Sequence, residues 1–401
     1  MPPAVDVGTA ADRIDPGKIL GPSLWRRVCY ARSMGFSCGI VGLPNVGKST
    51  LFNCLSSARA EAANYPFCTI EPNVGIVEVP DARMKALAVV VNPERIVPAT
   101  TRFVDIAGIV KGASKGEGLG NKFLSHIRDV DAICHVVRCF IDENVVHVDG
   151  KVDPVRDAGT IDTELILADL EAVEKRLDRA KKMSKGADAT IEKKAVPYLD
   201  SLKSHLERGE PARSHKADDD DDLKAVLHDM HLLTVKPTLF VANCDEAGLT
   251  PETNAHLKAL LDMATARGDQ VVAVCAKIES EVAELPPEER ADFLASMGME
   301  SSGLDKLIRA GFKLLGLGTY FTAGVKEVRA WNIVNGTKAP GAAGVIHSDF
   351  ERGFIKAEVI WWEDFVTLGG ESRCREAGKL RLEGKEYVVR DGDVMHFKFN
   401  V

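Results

Sequence analysis

A chain of 401 residues with 45% apolar content is long enough for two or three domains and too apolar to be disordered. A net charge of −8 argues against indiscriminate binding to nucleic acid, and no apolar run is long enough to span a bilayer. The nine cysteines are scattered without a C-x-x-C pair, so neither a zinc centre nor a disulfide framework is indicated, which fits a reducing cytoplasm.

Residues 1–33 mix Pro, Gly, Asp and Arg, lack the apolar centre of a secretory signal, and read as a loose, disordered and dispensable extension. From Phe36 the rhythm changes. The apolar run Cys38-Gly39-Ile40-Val41 predicts a buried strand, and Gly42-Leu43-Pro44-Asn45-Val46-Gly47-Lys48-Ser49 after it completes G-x-x-x-x-G-K-[ST]. Glycines let such a loop fold tightly, so that backbone N–H groups from Asn45 to Thr50 converge on phosphates at the start of a helix near Lys48. In that role Lys48 reaches the β- and γ-phosphates and Ser49 takes a Mg²⁺ position. The chain is therefore expected to bind a nucleoside triphosphate.

Further strands are predicted at 75–79, 101–105 and 133–138, the rhythm of a mostly parallel, helix-covered sheet. Asp105-Ile106-Ala107-Gly108 supplies a D-x-x-G element, which places the Asp105 carboxylate near Mg²⁺ and the Gly108 amide near the γ-phosphate. Thr69 lies where a switch loop lends a hydroxyl to the same ion, and its neighbour Cys68 is a candidate for redox control. Small GTPases carry a water-orienting Gln after the D-x-x-G glycine, but here Ile109 stands there and an alkyl chain holds no water. His135, in an apolar strand, reads as core. His147 reads from the residues alone as a structural histidine at a loop or strand edge.

Residues 151–232 carry Ile166, Leu170, Val173, Leu177 and Ala180, then Leu199, Leu202 and Leu206, at three- and four-residue spacing. This predicts a helical hairpin, coiled-coil-like, with its tip near Gly186, inserted in the nucleotide domain (34–150 and 233–315). Between 175 and 194 eight bases face three acids, which suits either a solvated helical face or an RNA-facing patch. The acidic run 218–222 is expected to open a later helix, where carboxylates oppose the N-terminal dipole. Strands return at 237–243 and 270–274. The guanine-reading motif N-K-x-D is replaced after the first of them by Asn243-Cys244-Asp245-Glu246, while Cys275-Ala276-Lys277 follows the second as the other wall of a base pocket. The longer Glu246 stem displaces the carboxylate from the guanine-reading position, which argues against guanine. Residues 316–401 read as a compact α+β module with strands at 325–331, 354–360 and 387–389 and with acids and bases in balance.

Taken in order, the phosphate loop, Asp105-Ile106-Ala107-Gly108-Ile109-Val110-Lys111-Gly112-Ala113 and Gly324-Val325-Lys326-Glu327-Val328-Arg329-Ala330-Trp331 make the chain resemble the Obg-like ATPases of the YchF type, within the translation-factor-related P-loop NTPases. The resemblance runs from about Gly35 to Val401 and implies an α/β P-loop domain, an inserted helical domain and a C-terminal TGS domain. It also implies a preference for ATP over GTP through the N-x-x-E element, hydrolysis to ADP and phosphate, and action as a ribosome-associated switch on the large subunit or whole particle. On the same footing Asn45 can help hold K⁺, and His147 matches a family histidine placed near the γ-phosphate. A cytoplasmic monomer without a membrane partner is expected. The competing readings are a nucleotide-dependent binding regulator with negligible turnover, which Ile109 favours, and a GTPase.

Overall fold

The computed structural model describes residues 36–57, 73–106, 119–186, 189–216 and 220–400, with the side chains of 119–121 excluded. The first sheet has the order β2-β4-β1-β5-β6-β7, formed by β1 (Ser37–Val41), β2 (Val74–Glu78), β4 (Thr100–Asp105), β5 (Ala132–Arg138), β6 (Thr238–Asn243) and β7 (Gln270–Val274). Only β2 runs antiparallel to its neighbour; the other pairs are parallel. Every residue of β1, β5 and β6 is buried, the continuous apolar pattern that a strand covered on both faces requires. His135 is among them, 5.3 Å from the Phe240 ring between centroids, so it is the packed core residue its strand implied.

Helix α1 (Lys48–Ser57) follows the phosphate loop, and α2 (Ala82–Val91) is capped by Asp81, whose carboxylate accepts from the Arg83 N–H. The helix at Gly303–Leu314 turns Leu307, Ile308 and Phe312 into the same core. Each such side chain is worth about 1.5–3 kcal/mol when removed from water. Cys38 and Cys134 pack together in this core, and the Cys38 thiol is pushed up by the neighbouring Cys134 and by burial.

Helix α3 (Leu119–Asp129) precedes α4 (Pro154–Met183), which is 30 residues long and belongs to both compact units of the chain. The helical unit is Asp169–Leu232. Its start lies well beyond the sequence-based boundary at 151, because Ile161, Leu165 and Ala168 on the first half of α4 join the core of the nucleotide-binding unit. Within the helical unit, α4 faces α5 (Thr190–Glu207), and Val173, Leu177, Leu199, Leu202 and Leu206 are buried. Arg176–Glu192 and Lys203–Glu174 ion pairs cross between the two helices. Asp220 caps the next helix, α6 (Asp221–Asp229), accepting from the N–H groups of Asp222 and Leu223.

The C-terminal residues build a second sheet, order β11-β10-β12-β8-β9-β3, from β8 (Leu317–Ala323), β9 (Glu327–Val334), β10 (Phe354–Trp361), β11 (Arg381–Glu383) and β12 (Asp393–Phe399). Its last member, β3 (Arg95–Val97), comes from the nucleotide domain and pairs parallel with β9, so 316–401 does not separate as a compact unit of its own. The strand expected at 387–389 is absent. Val388 makes one isolated bridge with Lys338, Tyr387 instead donates its hydroxyl to buried Asp393, and the sheet takes β12 in its place.

Candidate nucleotide site

The phosphate loop is wedged between the ends of β1 and β6 by backbone conformations that its sequence permits. Asn45 and Gly47 both have positive φ, 61° and 94°, and a Cβ on Gly47 would lie 2.3 Å from Asn243 Nδ2. Gly42 is equally constrained, since its Cβ would sit 2.5 Å from the Val136 carbonyl oxygen. The Lys48 side chain is buried and donates from Nζ to the Leu43 carbonyl at 2.7 Å. Burial lowers the Lys48 pKa, and the charge of Asp105 opposes that shift. Ser49 and Thr50 are exposed beside it.

Asp105 closes β4 on the neighbouring strand. Burial raises its carboxyl pKa, Lys48 pulls it back, and Oδ1 is buried with no hydrogen-bond partner among the described residues. An orphaned buried carboxylate oxygen costs free energy, and a hard divalent cation satisfies it. The donor set of Asp105 and Ser49 thus fits Mg²⁺. Thr69, Gly108, Ile109 and Cys68 lie outside the described residues.

Asn243 ties the base-reading strand to the loop. Its Nδ2 donates to the Val46 carbonyl at 2.9 Å, and its Oδ1 accepts from the Ala276 N–H at 3.1 Å. Cys244 is buried with its thiol toward the Ala242 carbonyl. Cys275 is buried too, and Glu246 accepts from Lys277 Nζ at 2.7 Å. The residues singled out at both walls, Asn243, Glu246 and Ala276, are therefore assembled in one place.

His147 is placed differently from the expectation that it serves near the γ-phosphate. Its Nδ1 accepts from the Asp149 N–H at 3.2 Å and its Nε2 donates to Asp157 Oδ2 at 2.9 Å, with both side chains buried. Both ring nitrogens are occupied, so in this conformation the imidazole clasps its loop to the first turn of α4 and orients no water. The same loop touches the phosphate loop one residue away, where Asn45 Nδ2 donates to the Val146 carbonyl at 3.1 Å.

Three supporting residues escaped the sequence reading. Buried Arg138 donates to the carbonyls of Phe140, Asp142 and Val145, and Asn254 Nδ2 holds the Cys139 carbonyl at 2.9 Å. Asp157 looks in the sequence like any first-turn acid. A charged residue ending an apolar strand was the available signal for Arg138.

With this geometry in hand, the comparisons with known proteins become specific. Residues 37–191 match the family described as 50S ribosome-binding GTPase, and 317–400 match YchF-GTPase_C, a protein of unknown function. Similar over 92% of this chain and all of their own length are the "Ribosome-binding ATPase YchF" proteins of Bacillus subtilis strain 168, at 58% identity, and Haemophilus influenzae, at 57%. The chain belongs to the YchF family. The Schizosaccharomyces pombe YchF GTPase structure matches with a TM-score of 0.82 at 39% identity, covering 92% of this chain and 99% of that one. A YchF fold accounts for the α/β nucleotide domain and the C-terminal module together. The relatives' names differ on the base, ATPase for the bacterial proteins and GTPase for the yeast one.

Proposed function

We propose that this YchF-family protein binds ATP in preference to GTP, hydrolyses it to ADP and phosphate, and uses the bound state to govern association with the ribosome. The observation that carries the reading is buried Lys48 under the influence of the Asp105 charge, an Asp105 oxygen with no hydrogen-bond partner among the described residues, and Ser49 exposed next to Lys48 in the chain. Lys48 leaves the Leu43 carbonyl for the phosphates, and the loop amides take the remaining negative charge. Asp105 and Ser49 would hold Mg²⁺, with Thr69 as a further ligand, and the ion would supply neutralisation of phosphate charge. Asn45 donates from Nδ2 to Val146, which leaves its carbonyl oxygen for K⁺. Electrostatic stabilisation by Lys48 carries the chemistry, to which bound cations would add, because His147 is clasped and Ile109 is an alkyl chain.

The base preference rests on the missing lysine at Cys244 and on the Glu246 carboxylate. Ribosome association rests on the ribosome binding for which the similar bacterial proteins are named and on a basic face of the helical unit. Four of the eight bases between 175 and 194 are engaged in ion pairs: Lys175 with Glu171, Arg176 with Glu192, Lys181 with Asp200, and Lys194 with Asp220 and Asp222. Arg179, Lys182, Lys185 and Lys193 are exposed and have no acidic partner among the described residues, so they form the RNA-facing set. Among the described residues no helix is long and apolar enough to cross a membrane.

Multiple-turnover phosphate release with ATP and with GTP, with and without ribosomes, tests the reading. Faster release from ATP, stimulated by ribosomes, is expected. No turnover under any condition would leave the binding-regulator reading in its place.

A further inference from the structure

The base-reading wall holds an arrangement that neither the N-x-x-E motif nor the relatives' names assign. Lys277 and Glu246, 31 residues apart in sequence, meet at 2.7 Å where β6 and β7 end side by side. Their side chains are 72% and 45% exposed, and an ion pair that open to water contributes little to stability. Its use lies elsewhere. We propose that Lys277 is a specificity-determining positioning residue: by holding Glu246 Oε1 it fixes the carboxylate to accept from the exocyclic amine of adenine and to repel the carbonyl of guanine. This rests on the ATP-binding reading given above.

Three observations support it. A glutamate has three rotatable bonds, so an untethered carboxylate surrenders rotamer entropy when it orients on a base; a neighbouring ammonium reduces that loss in advance. One backbone donor that would welcome a carbonyl at this wall is committed elsewhere. The Ala276 N–H goes to Asn243 Oδ1 at 3.1 Å. The wall therefore presents an acceptor, which suits the N6 amine of adenine and opposes the O6 of guanine. Finally, Cys244 is buried with its thiol toward Ala242, so the cation of the pocket comes from the Cys275-Ala276-Lys277 side.

Equilibrium titration of the full chain with Mg²⁺ complexes of ATP and GTP tests the proposal in wild type, Lys277→Met, Lys277→Arg and Glu246→Gln. Lys277→Met should lower the ratio of ATP to GTP affinity by about tenfold, a difference of roughly 1.4 kcal/mol. Lys277→Arg should keep most of the preference, and Lys277→Met added to Glu246→Gln should change the ratio little further, because the two act as one unit. A ratio is insensitive to general damage of the phosphate loop. If wild type prefers ATP and Lys277→Met keeps the wild-type ratio, or loses both nucleotides equally, the assignment of Lys277 is overturned while the ATP reading stands. If wild type prefers GTP, the base reading falls and this inference with it.

Discussion

The phosphate loop and the helical unit use polar groups in opposite ways. At the loop they are buried and mutually committed: Asn243 satisfies both Val46 and Ala276, and Lys48 is held by Leu43. In the helical unit they are exposed ion pairs over an apolar seam, such as Lys181–Asp200 and Lys194–Asp220. Burial makes each polar contact at the loop costly to lose, whereas exposed pairs are individually worth at most about 1 kcal/mol. Changes at the loop should therefore be large and local in their effect on nucleotide, and changes on the helical face small, additive and dependent on salt.

The largest effect is expected from Lys48→Ala, which should abolish measurable MgATP binding or turnover while the far-ultraviolet circular dichroism stays native. A variant with wild-type affinity and rate would remove Lys48 from the site. Asn243→Ala should follow. It leaves the Val46 carbonyl and Ala276 N–H without their partner, at about 1–3 kcal/mol for each buried group, and should weaken ATP and GTP alike. Thermal melting with nucleotide titration checks both parts, and loss of one nucleotide alone would contradict the scaffold role.

Asp105→Asn should split stability from function. Burial raises the Asp105 pKa in the folded state, so folding favours the protonated form and the carboxylate costs stability as pH rises above its unfolded value. At neutral pH the amide should raise the melting temperature without nucleotide and weaken Mg²⁺-dependent ATP binding. A lower melting temperature would show that the charge is structural. His147→Ala and Asp157→Ala should resemble one another, each lowering the melting temperature by breaking the same clasp. If His147→Ala alone lowers kcat at least about tenfold with ATP affinity kept, the imidazole reaches the reacting phosphate in another conformation, as expected of a catalytic base.

The smallest effect belongs to the helical face. Neutralising Arg179, Lys182 and Lys185 should weaken ribosome association and flatten its salt dependence, with ATP binding unchanged. The same count of substitutions at Lys175, Lys181 and Lys194, which already have acidic partners, should do less. Equal salt slopes in both triple variants would erase the distinction.

How far the sequence discloses these regions follows from the physics of each. The parallel sheet was legible because β1, β5 and β6 are continuous apolar runs, and the loop because glycine geometry at Gly42 and Gly47 admits few substitutes. The helical seam was legible from its spacing, but its start was not, since α4 continues without a break from one core into the other. Short sheet-edge elements such as β3 and β11, three residues each, carry no periodicity to read. Nor could spacing show that His147 is occupied on both nitrogens, because Asp149 and Asp157 become its partners only through the fold of the loop.

The claim that joins the two regions is that the nucleotide site governs the ribosome-facing one. Ribosome sedimentation of wild type and Lys48→Ala without nucleotide, with ADP, with ATP and with a non-hydrolysable ATP analogue tests it most directly. A switch of useful strength predicts wild-type affinities that differ between ATP-like and ADP states by about tenfold or more, with no response to nucleotide in Lys48→Ala. Equal association of wild type in every nucleotide state would contradict the account.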